Sequence, residues 1–516
     1  MSINSFNRLS RRHVVKGIAS GVGCSLVPSR LLATAPDPEG DGLSRASPQA
    51  AEVDPRAVLD FIDSTFANDL DLHSFMLYRK GNVVAEGWSW PYASHRPHMM
   101  HSLTKSVTAT GVGLAMDEGY FSLDDSVLDF FPGEQPARLT ANLKAMTVKD
   151  LLTMQSGHTV SVSGSVFRQI KTSWIDEFFK IPVTDQPGTH FLYSSALSFL
   201  LSAIVTRTTK ETLRQYLESR LFKPLGITSL TWGSSPNGIN SGGNGLTWKT
   251  VDSLKLGILH LNGGSWNGKQ LISRRWVEEA TRTQVSDAQY GYHWWQENAV
   301  NAFYAEGAFG QFSIVFPRHD AVLALTAGVQ DGEALLKLVW DQFPGAFKGL
   351  SSDYRARTED ALAGRIENLR LLPEARATAS PTAQEISGKT FVIDPNQDHV
   401  SQVSFNFSDG CMTFHQSDHR GDHTVHVGIG NWIESTTGIT GNKLHHQYQS
   451  ENMKVVASGH WWDENTFEMT WQFVESAWVD RLICRFYGDQ LSIDRTTNAN
   501  YASRVQPTLR GKAEKG

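Results

Sequence analysis

Ser102 and Lys105 stand three residues apart in a run of small and apolar residues, MHSLTKSVTATGVGLAM. At positions i and i+3 of a helix, two side chains lie on one face and can reach each other. A serine hydroxyl attacks efficiently only when a base takes its proton, and lysine is such a base only when burial or nearby positive charge keeps it neutral. The spacing therefore predicts a nucleophile, Ser102, with Lys105 as its base. The alternative is a capping serine beside a surface lysine.

The segments that follow this pair occur in a characteristic order. They read SLTKSVTATGVGLAMDEGYFSLDDSVLDFFP, MTVKDLLTMQSG, PGTHFLYSSALSFLLSAIV, LGILHLNGGSWNGKQLIS and YGYHWW. Over residues 55–345 the series resembles the serine β-lactamase-like and penicillin-binding-protein superfamily, and within it the branch of class C β-lactamases, esterases and aminohexanoate-oligomer hydrolases. The resemblance implies an α+β fold of the β-lactamase type, an antiparallel sheet flanked by helices with a helical subdomain.

The resemblance also implies a second motif, Tyr-x-Asn or Tyr-x-Ser. Tyr193-Ser194-Ser195 matches it, because it follows a Pro-Gly pair and precedes an apolar helical pattern. In the family this tyrosine carries a proton to and from the serine and the leaving group, so Tyr193 is expected to be catalytic. Ser195 is expected to hydrogen-bond Lys105. The alternative for Tyr193 is a buried tyrosine of the core.

The family's third motif, Lys-Thr-Gly or His-x-Gly, lies on a strand opposite the serine. The matching text is EGAFGQFSIVFP, which gives Ala308-Phe309-Gly310. Gly310 is expected to let the strand approach the substrate, and the backbone N–H groups of Ser102 and Gln311 are expected to form the oxyanion hole. Ala308 and Phe309 lack the cation and hydroxyl that hold a substrate carboxylate, so a neutral ester or amide is the expected substrate, with weak β-lactamase activity at most.

Together these observations predict an exported serine hydrolase, which cleaves an ester or amide by forming and hydrolysing an acyl-enzyme on Ser102. The reaction needs no cofactor. Two alternatives stay open, a penicillin-recognising DD-peptidase and a cell-wall sensor or binding protein that becomes acylated without turning over. Intact catalytic residues argue against an inactive scaffold but leave the sensor open, and a burst of acylation without steady turnover would favour it.

The expected partner is a small-molecule ester or amide substrate, and composition gives no sign of a nucleic-acid partner. The 516 residues are 40% hydrophobic, and their net charge of −6 with no long basic run gives no support for nucleic-acid binding. The histidine-rich segment 411–426 is expected to hold no metal, because His423 and His426 differ in strand parity. Strand parity also places Cys411 and Cys484 on opposite faces, which disfavours a disulfide.

The first residues carry the pattern of an export signal. Arg11 and Arg12 precede an uncharged, glycine-rich stretch and a small-residue A-x-A site at Ala33–Ala35. Residues 1–35 resemble a twin-arginine signal, which implies a periplasmic or extracellular location. The alternative is a basic tail. No other window has the length and hydropathy of a membrane span, so no integral membrane segment is expected after signal removal.

The rest of the chain divides by composition. A flexible tether is expected over residues 36–54, which are rich in Pro, Gly, Ser and Ala. The β-lactamase-like domain follows at 55–345, and a helix with a Pro-, Ala- and Thr-rich linker at 346–384. Short β-like runs separated by turns predict a C-terminal all-β domain over 385–516, a barrel or a sandwich.

Replacement of Arg11 and Arg12 by Lys is expected to leave the precursor in the cytoplasm, because a twin-arginine signal is read through that pair. Fractionation of cells that express either form, followed by the mass of the exported chain, measures the effect. Export that is indifferent to the replacement would show that another route is used.

Overall fold

The computed structural model describes most of the chain, namely residues 40–162, 166, 169–348, 352–439 and 452–514. The signal predicted over residues 1–35 lies outside these ranges. Within them, no helix is both long enough and apolar enough to cross a membrane.

The first domain is built on an antiparallel sheet. In chain order its strands and those of two small accessory sheets are β1 (Ser44–Arg45), β2 (Leu72–Arg79), β3 (Asn82–Trp88), β4 (His98–Met99), β5 (Thr231–Trp232), β6 (Leu246–Trp248), β7 (Ser265–Trp266), β8 (Lys269–Gln270), β9 (Trp295–Glu297), β10 (Ala302–Gly307), β11 (Gln311–Phe316) and β12 (Ala321–Ala327). The main sheet has the order β1-β3-β2-β12-β11-β10-β9, and only the β1–β3 pair is parallel. The strand that ends nearest the predicted nucleophile, β10, therefore lies close to one edge.

Helices cover both faces of this sheet. They are α1 (Pro55–Ala67), α2 (Thr104–Asp117), α3 (Ala141–Ala145), α4 (Val148–Leu152), α5 (Trp174–Phe179), α6 (Ser195–Thr209), α7 (Leu213–Leu217), α8 (Thr250–Leu261), α9 (Arg274–Thr281), α10 (Gly332–Ala346), α11 (Ser352–Glu367) and α12 (Thr382–Ile386). On one face α1 packs against α10 and α11, and on the other α8 packs against β2, β11 and β12. Helix α2 packs between α6, α7 and the end of β10.

Strands β2 and β3 form an antiparallel hairpin. Arg79 pairs with Asn82, and the two residues between them, Lys80 and Gly81, both have positive φ. A two-residue turn with positive φ at both positions matches the twist of the flanking strands, and glycine adopts this conformation without strain.

The tether expected over residues 36–54 is wrong for the part of it that the structure describes. Ser44 and Arg45 form β1, which pairs with β3, and Leu43 is buried. The Arg45 guanidinium lies 2.7 Å from Asp41 and 2.9 Å from Glu86, with its side chain 8% exposed. Two carboxylates bound by one buried guanidinium attach this segment to the sheet, a long-range interaction that composition does not reveal.

Helix α2 is buried along almost its whole length, as its small and apolar residues predict. Glycine allows close packing at two of its positions: a Cβ on Gly113 would lie 2.4 Å from the Trp276 ring, and one on Gly111 would lie 2.6 Å from a methyl group of Leu213. Close packing on several sides fixes the start of the helix, where Ser102 and Lys105 lie.

The C-terminal domain is a β-barrel. Its strands are β13 (Thr390–Ile393), β14 (Gln402–Ser408), β15 (Cys411–Asp418), β16 (Gly421–Ile429), β17 (Ile433–Thr437), β18 (Met453–Trp461), β19 (Thr466–Phe473), β20 (Val479–Tyr487), β21 (Gln490–Thr497) and β22 (Val505–Ala513). They pair in the order β16-β15-β14-β13-β22-β21-β20-β19-β18-β17, and a parallel pairing of β16 with β18 closes the barrel. Cys411 is half-buried and Cys484 buried, and both are free thiols.

An α+β domain with helices on both faces of its sheet and an all-β domain after it confirm the fold expected from the sequence. The described residues from Gly40 onward belong to one compact unit. The exact boundaries at residues 345 and 385 stay a prediction, although β13 begins five residues after the second of them.

The barrel packs directly on the segment that precedes Ser102. The Tyr92 hydroxyl donates to the Ser476 carbonyl at 2.8 Å and accepts from Gln472 Nε2 at 2.6 Å. The Met99 backbone N–H donates to the Glu475 carbonyl at 2.9 Å. The barrel and the first domain are therefore joined through buried hydrogen bonds. Loss of such a bond lowers stability when one of its partners stays buried.

Tyr92→Phe is expected to lower the free energy of unfolding by about 1–3 kcal/mol, because it leaves the buried Gln472 amide and Ser476 carbonyl without the hydroxyl. Denaturant unfolding followed by tryptophan fluorescence measures the change. Tyr487→Phe is the matched control, since Tyr487 is 64% exposed on the barrel surface. Equal stability of both variants would show that this contact does not hold the domains together.

Candidate active site

Ser102 lies in a 3-10 turn, His101–Leu103, that runs directly into α2. His101 has a φ of 48°, a strained conformation for a residue with a side chain. The Thr104 hydroxyl donates to the His101 carbonyl at 2.6 Å and accepts from the Leu246 N–H at 3.3 Å. The turn is thereby tied to the helix and to β6, and it presents Ser102 at the helix N-terminus.

Lys105 is 1% exposed, and its ammonium group is placed by three oxygen atoms. Nζ lies 3.0 Å from the Ser102 hydroxyl, 3.1 Å from the Ser195 hydroxyl and 2.7 Å from the Gly243 carbonyl. Two hydroxyls and a carbonyl orient the amine without neutralising a charge. The lysine is therefore aimed at the serine from within the protein.

The carbonyl that contacts Lys105 belongs to a glycine pair in the loop before β6. A Cβ on Gly243 would lie 2.8 Å from the Ser195 carbonyl, and one on Gly242 would lie 2.2 Å from the Ser198 carbonyl. The Thr108 hydroxyl of α2 also donates to the Gly242 carbonyl at 2.7 Å. Only glycine lets this loop approach α6 closely enough to reach the lysine.

Tyr193 lies on the open side of the lysine. Lys105 Nζ is 4.7 Å from the centre of its ring, and the ring stacks on Trp295 with centroids 5.7 Å apart. Burial raises the pKa of Tyr193 well above its ordinary value, and a hydrogen bond with Ser102 opposes this less strongly. The phenol is therefore protonated at neutral pH and donates or relays a proton.

A neutral histidine lies beneath the lysine. His293 Nε2 is 2.9 Å from the Ser198 hydroxyl, and its carbonyl accepts from the Ser106 hydroxyl at 2.6 Å. Burial and then the neighbouring Lys105 lower the pKa of His293 to about 3. This residue connects α2 to α6 and adds no charge beside the amine.

The placement of the third motif at Ala308-Phe309-Gly310 is wrong. These residues form the turn between β10 and β11 and are not part of a strand. A Cβ on Gly310 would meet Ala327 at 2.8 Å, in the interior beneath the sheet. Gly307 instead approaches the nucleophile segment, since a Cβ there would lie 2.1 Å from the Met100 carbonyl. Gly307, three residues before Gly310, is therefore the glycine that lies against the nucleophile segment.

Gln311 is also misassigned as an oxyanion-hole residue. It begins β11, pairs with Gly307 and is fully buried, with its side-chain amide donating to the carbonyls of Ala308 and Ala327. A fully buried residue cannot present its N–H to a substrate. Ala308, which follows Gly307, is only half-buried.

The barrel contributes a wall to the site. The ring of Phe309 meets the His101 ring edge-on at 5.4 Å, and Trp478 contacts both rings, at 5.3 Å and 5.9 Å. Tyr501, in the loop after β21, lies 5.2 Å from the Phe309 ring and is 75% exposed. The residue before the nucleophile is thus held by aromatic rings of both domains.

Sequence patterns did not identify three residues around the site: Gly243, which contacts Lys105, Gly307, which meets the Met100 carbonyl, and Tyr501, which contacts Phe309. Glu306-Gly307 and Phe309-Gly310 both have the x-Gly ending of the motif. Only knowledge of where β10 ends distinguishes the two pairs. Gly243 and Tyr501 come from distant segments that no local pattern connects to Ser102.

The described ranges contain no group of three or more His, Cys, Asp or Glu side chains placed to hold an ion. In the histidine-rich segment 411–426, His423 Nε2 instead lies 3.2 Å from an Asp418 carboxylate oxygen.

Comparisons with known proteins identify a family and several relatives. The family model described as Beta-lactamase matches residues 72–338. A Salmonella typhi protein provisionally named D-alanyl-D-alanine carboxypeptidase is 23% identical over 326 residues, which are 49% of this chain and 75% of its own.

Two solved structures are similar in fold. One, provisionally named 6-aminohexanoate-dimer hydrolase from Bacillus anthracis, is 18% identical over 59% of this chain and 81% of its own, with a TM-score of 0.46. The other, a penicillin-binding protein homologue from Caulobacter crescentus, is 18% identical over 55% of this chain and 95% of its own, with a TM-score of 0.47. The family match spans more than half of the sequence, and the chain belongs to the beta-lactamase family, whose members are hydrolases.

Proposed function

We propose that this chain is a serine hydrolase that cleaves an ester or amide through an acyl-enzyme on Ser102. The observation that carries the proposal is the 3.0 Å contact between the Ser102 hydroxyl and the amine of a lysine that is 1% exposed. A lysine removed from water loses its preference for the charged form and can accept the proton of the attacking serine.

Acylation begins when Ser102 Oγ attacks the substrate carbonyl while its proton passes to Lys105, directly or through Tyr193. The tetrahedral oxyanion is stabilised by the backbone N–H groups of Ser102 and Ala308. Ser102 lies in the turn that leads into α2, and the close approach of Gly307, which precedes Ala308, to the Met100 carbonyl supports this pair of donors. Fixed donors of this kind stabilise charge that develops only in the transition state.

Collapse of the intermediate requires a proton on the leaving group. Tyr193 suits this step because its pKa is raised by burial, so the phenol carries a proton at neutral pH. Lys105 lies 4.7 Å from the ring centre and can restore that proton. Water then attacks the acyl-enzyme with the same groups in reversed roles, which releases the acid and regenerates Ser102.

The open edge of β10 argues against anionic substrates. Residues 305–308 read Ala-Glu-Gly-Ala and offer no cation where the family motif has lysine or histidine. A charge-assisted hydrogen bond contributes about 1.5–3 kcal/mol, so its absence weakens the binding of a β-lactam or of a peptide ending in a free carboxylate. We therefore favour ester or amide hydrolysis over DD-peptidase or β-lactamase activity.

Ser102→Ala is expected to lower ester turnover by about three orders of magnitude or more while the fold is retained, because the nucleophile is removed. Steady-state hydrolysis of short-chain nitrophenyl esters, with circular dichroism as the check on folding, measures the effect. Ser286→Ala, at an exposed serine, is the matched control and should retain the rate.

Wild-type turnover by Ser102→Ala would exclude the mechanism. A stoichiometric adduct that persists without turnover would instead identify a sensor that acylates and does not hydrolyse.

Lys105→Ala and Tyr193→Phe are each expected to cost nearly as much in kcat as the double replacement. Residues that handle one proton as a unit have strongly non-additive effects. Rates of the two single variants and the double variant, with the same ester, give the coupling directly. Losses that simply multiply would show that the two residues do not share a proton path.

A further inference from the structure

Three half-buried aromatic rings form a continuous patch beside the catalytic residues. Trp295, at the start of β9, stacks on Tyr193 with ring centroids 5.7 Å apart, and its centroid lies 6.2 Å from that of Phe191. Phe191 precedes Tyr193 by two residues in the segment that leads into α6, and all three side chains are half-buried. We refer to Phe191, Tyr193 and Trp295 as the aromatic wall.

A buried ring supports the aromatic wall from behind. Tyr290 is 1% exposed. Its ring centroid lies 5.2 Å from that of Phe191, 6.4 Å from that of Tyr193 and 4.6 Å from that of Trp295. The backbone of Trp295 also pairs with Tyr290 and with Tyr304 of β10. The wall is therefore held in place before any ligand binds, which lowers the entropic cost of binding.

The aromatic wall begins at the reacting atoms and extends away from the lysine. Lys105 Nζ lies 3.0 Å from Ser102 Oγ and 4.7 Å from the centre of the Tyr193 ring. The protein is closed on the lysine side, where Lys105 is 1% exposed, whereas the rings on the Trp295 side are half-exposed. A group bonded to the atom that Tyr193 protonates therefore has room over Trp295 and Phe191 and not towards Lys105.

The chemistry of the wall selects apolar groups. Aromatic faces that are partly open to solvent gain free energy when an apolar group covers them, and aromatic groups add the attraction between stacked rings. A polar group placed there would lose water without gaining an equivalent hydrogen bond.

We propose that the aromatic wall binds the leaving group, and that the substrates are esters or amides whose alcohol or amine portion carries an aromatic ring or another bulky apolar group. The inference rests on the proposed serine hydrolase function. In acylation the bond between the carbonyl carbon and the leaving oxygen or nitrogen breaks, and that atom takes the Tyr193 proton. This role of Tyr193 decides which side of the scissile bond lies over the wall.

The test uses two pairs of esters in which one ring CH₂ is replaced by an ether oxygen. Cyclohexylmethyl acetate and (tetrahydropyran-4-yl)methyl acetate differ only in the leaving group. Methyl cyclohexylacetate and methyl (tetrahydropyran-4-yl)acetate carry the same change in the acyl group. The wild type is expected to favour the cyclohexyl member of the acetate pair by about fivefold or more in kcat/KM, and to discriminate less within the methyl ester pair.

Trp295→Ala should bring the kcat/KM ratio of the acetate pair towards one and leave the ratio of the methyl ester pair unchanged. Trp295→Phe keeps a ring and should retain most of the discrimination, and Phe191→Ala should lower the acetate ratio by a smaller factor. Trp340→Ala is the matched control and should keep both wild-type ratios, because Trp340 is a half-buried tryptophan of α10 that packs on Tyr304.

A ratio of two substrates within one variant is independent of how much active enzyme the variant contains. A purely structural effect of Trp295 on Tyr193 would slow both members of a pair alike and leave the ratio in place.

Failure of the inference and failure of the proposed function give different results. Hydrolysis that depends on Ser102, with an acetate ratio near one or a ratio that Trp295→Ala leaves unchanged, would overturn the leaving-group subsite alone. A change confined to the methyl ester pair would overturn it too, because the wall would then bind the acyl group. Absence of Ser102-dependent hydrolysis with every ester would overturn the proposed function on which the subsite rests.

Discussion

The enclosure of the Lys105 amine by neutral oxygen atoms is the constraint on which the rest of the site depends. An amine in a protein interior is costly unless its hydrogen-bonding capacity is used, and here two hydroxyls and the Gly243 carbonyl contact it. Each acceptor comes from a different element: the nucleophile turn, the start of α6 and the glycine loop before β6. Helix α2 therefore has to pack closely on several sides, which accounts for its glycines and its almost complete burial.

The barrel contacts the segment that holds Ser102 and so helps to position it. Phe309, at the hairpin between β10 and β11, belongs to the barrel's hydrophobic core and at the same time contacts the ring of His101. Tyr92 and Met99, which precede the nucleophile, hydrogen-bond barrel residues in the β19–β20 region. The strained backbone of His101 is thus held by contacts from both domains, and the position of Ser102 depends on the barrel being folded.

Local spacing predicted the centre of the site well, because the reach of i and i+3 side chains is a property of the helix itself. Ser102 and Lys105 are adjacent for that reason, and the resemblance placed Tyr193 and Ser195 next to them. The residues predicted for the third motif lie in the turn after β10 and not on a strand. The position of that turn depends on where β10 ends, and that end is set by the pairing of Gly307 with Gln311 across the hairpin. Long-range partners such as Tyr501 leave no local pattern at all.

The central claim is that Ser102 is the one nucleophile that Lys105 activates. Peptide mapping by mass spectrometry, after reaction of the full chain with a fluorophosphonate, tests this most directly. The account predicts one phosphonyl group per chain, located on Ser102. An adduct on another residue, or no adduct under conditions in which the chain hydrolyses an ester, would contradict it.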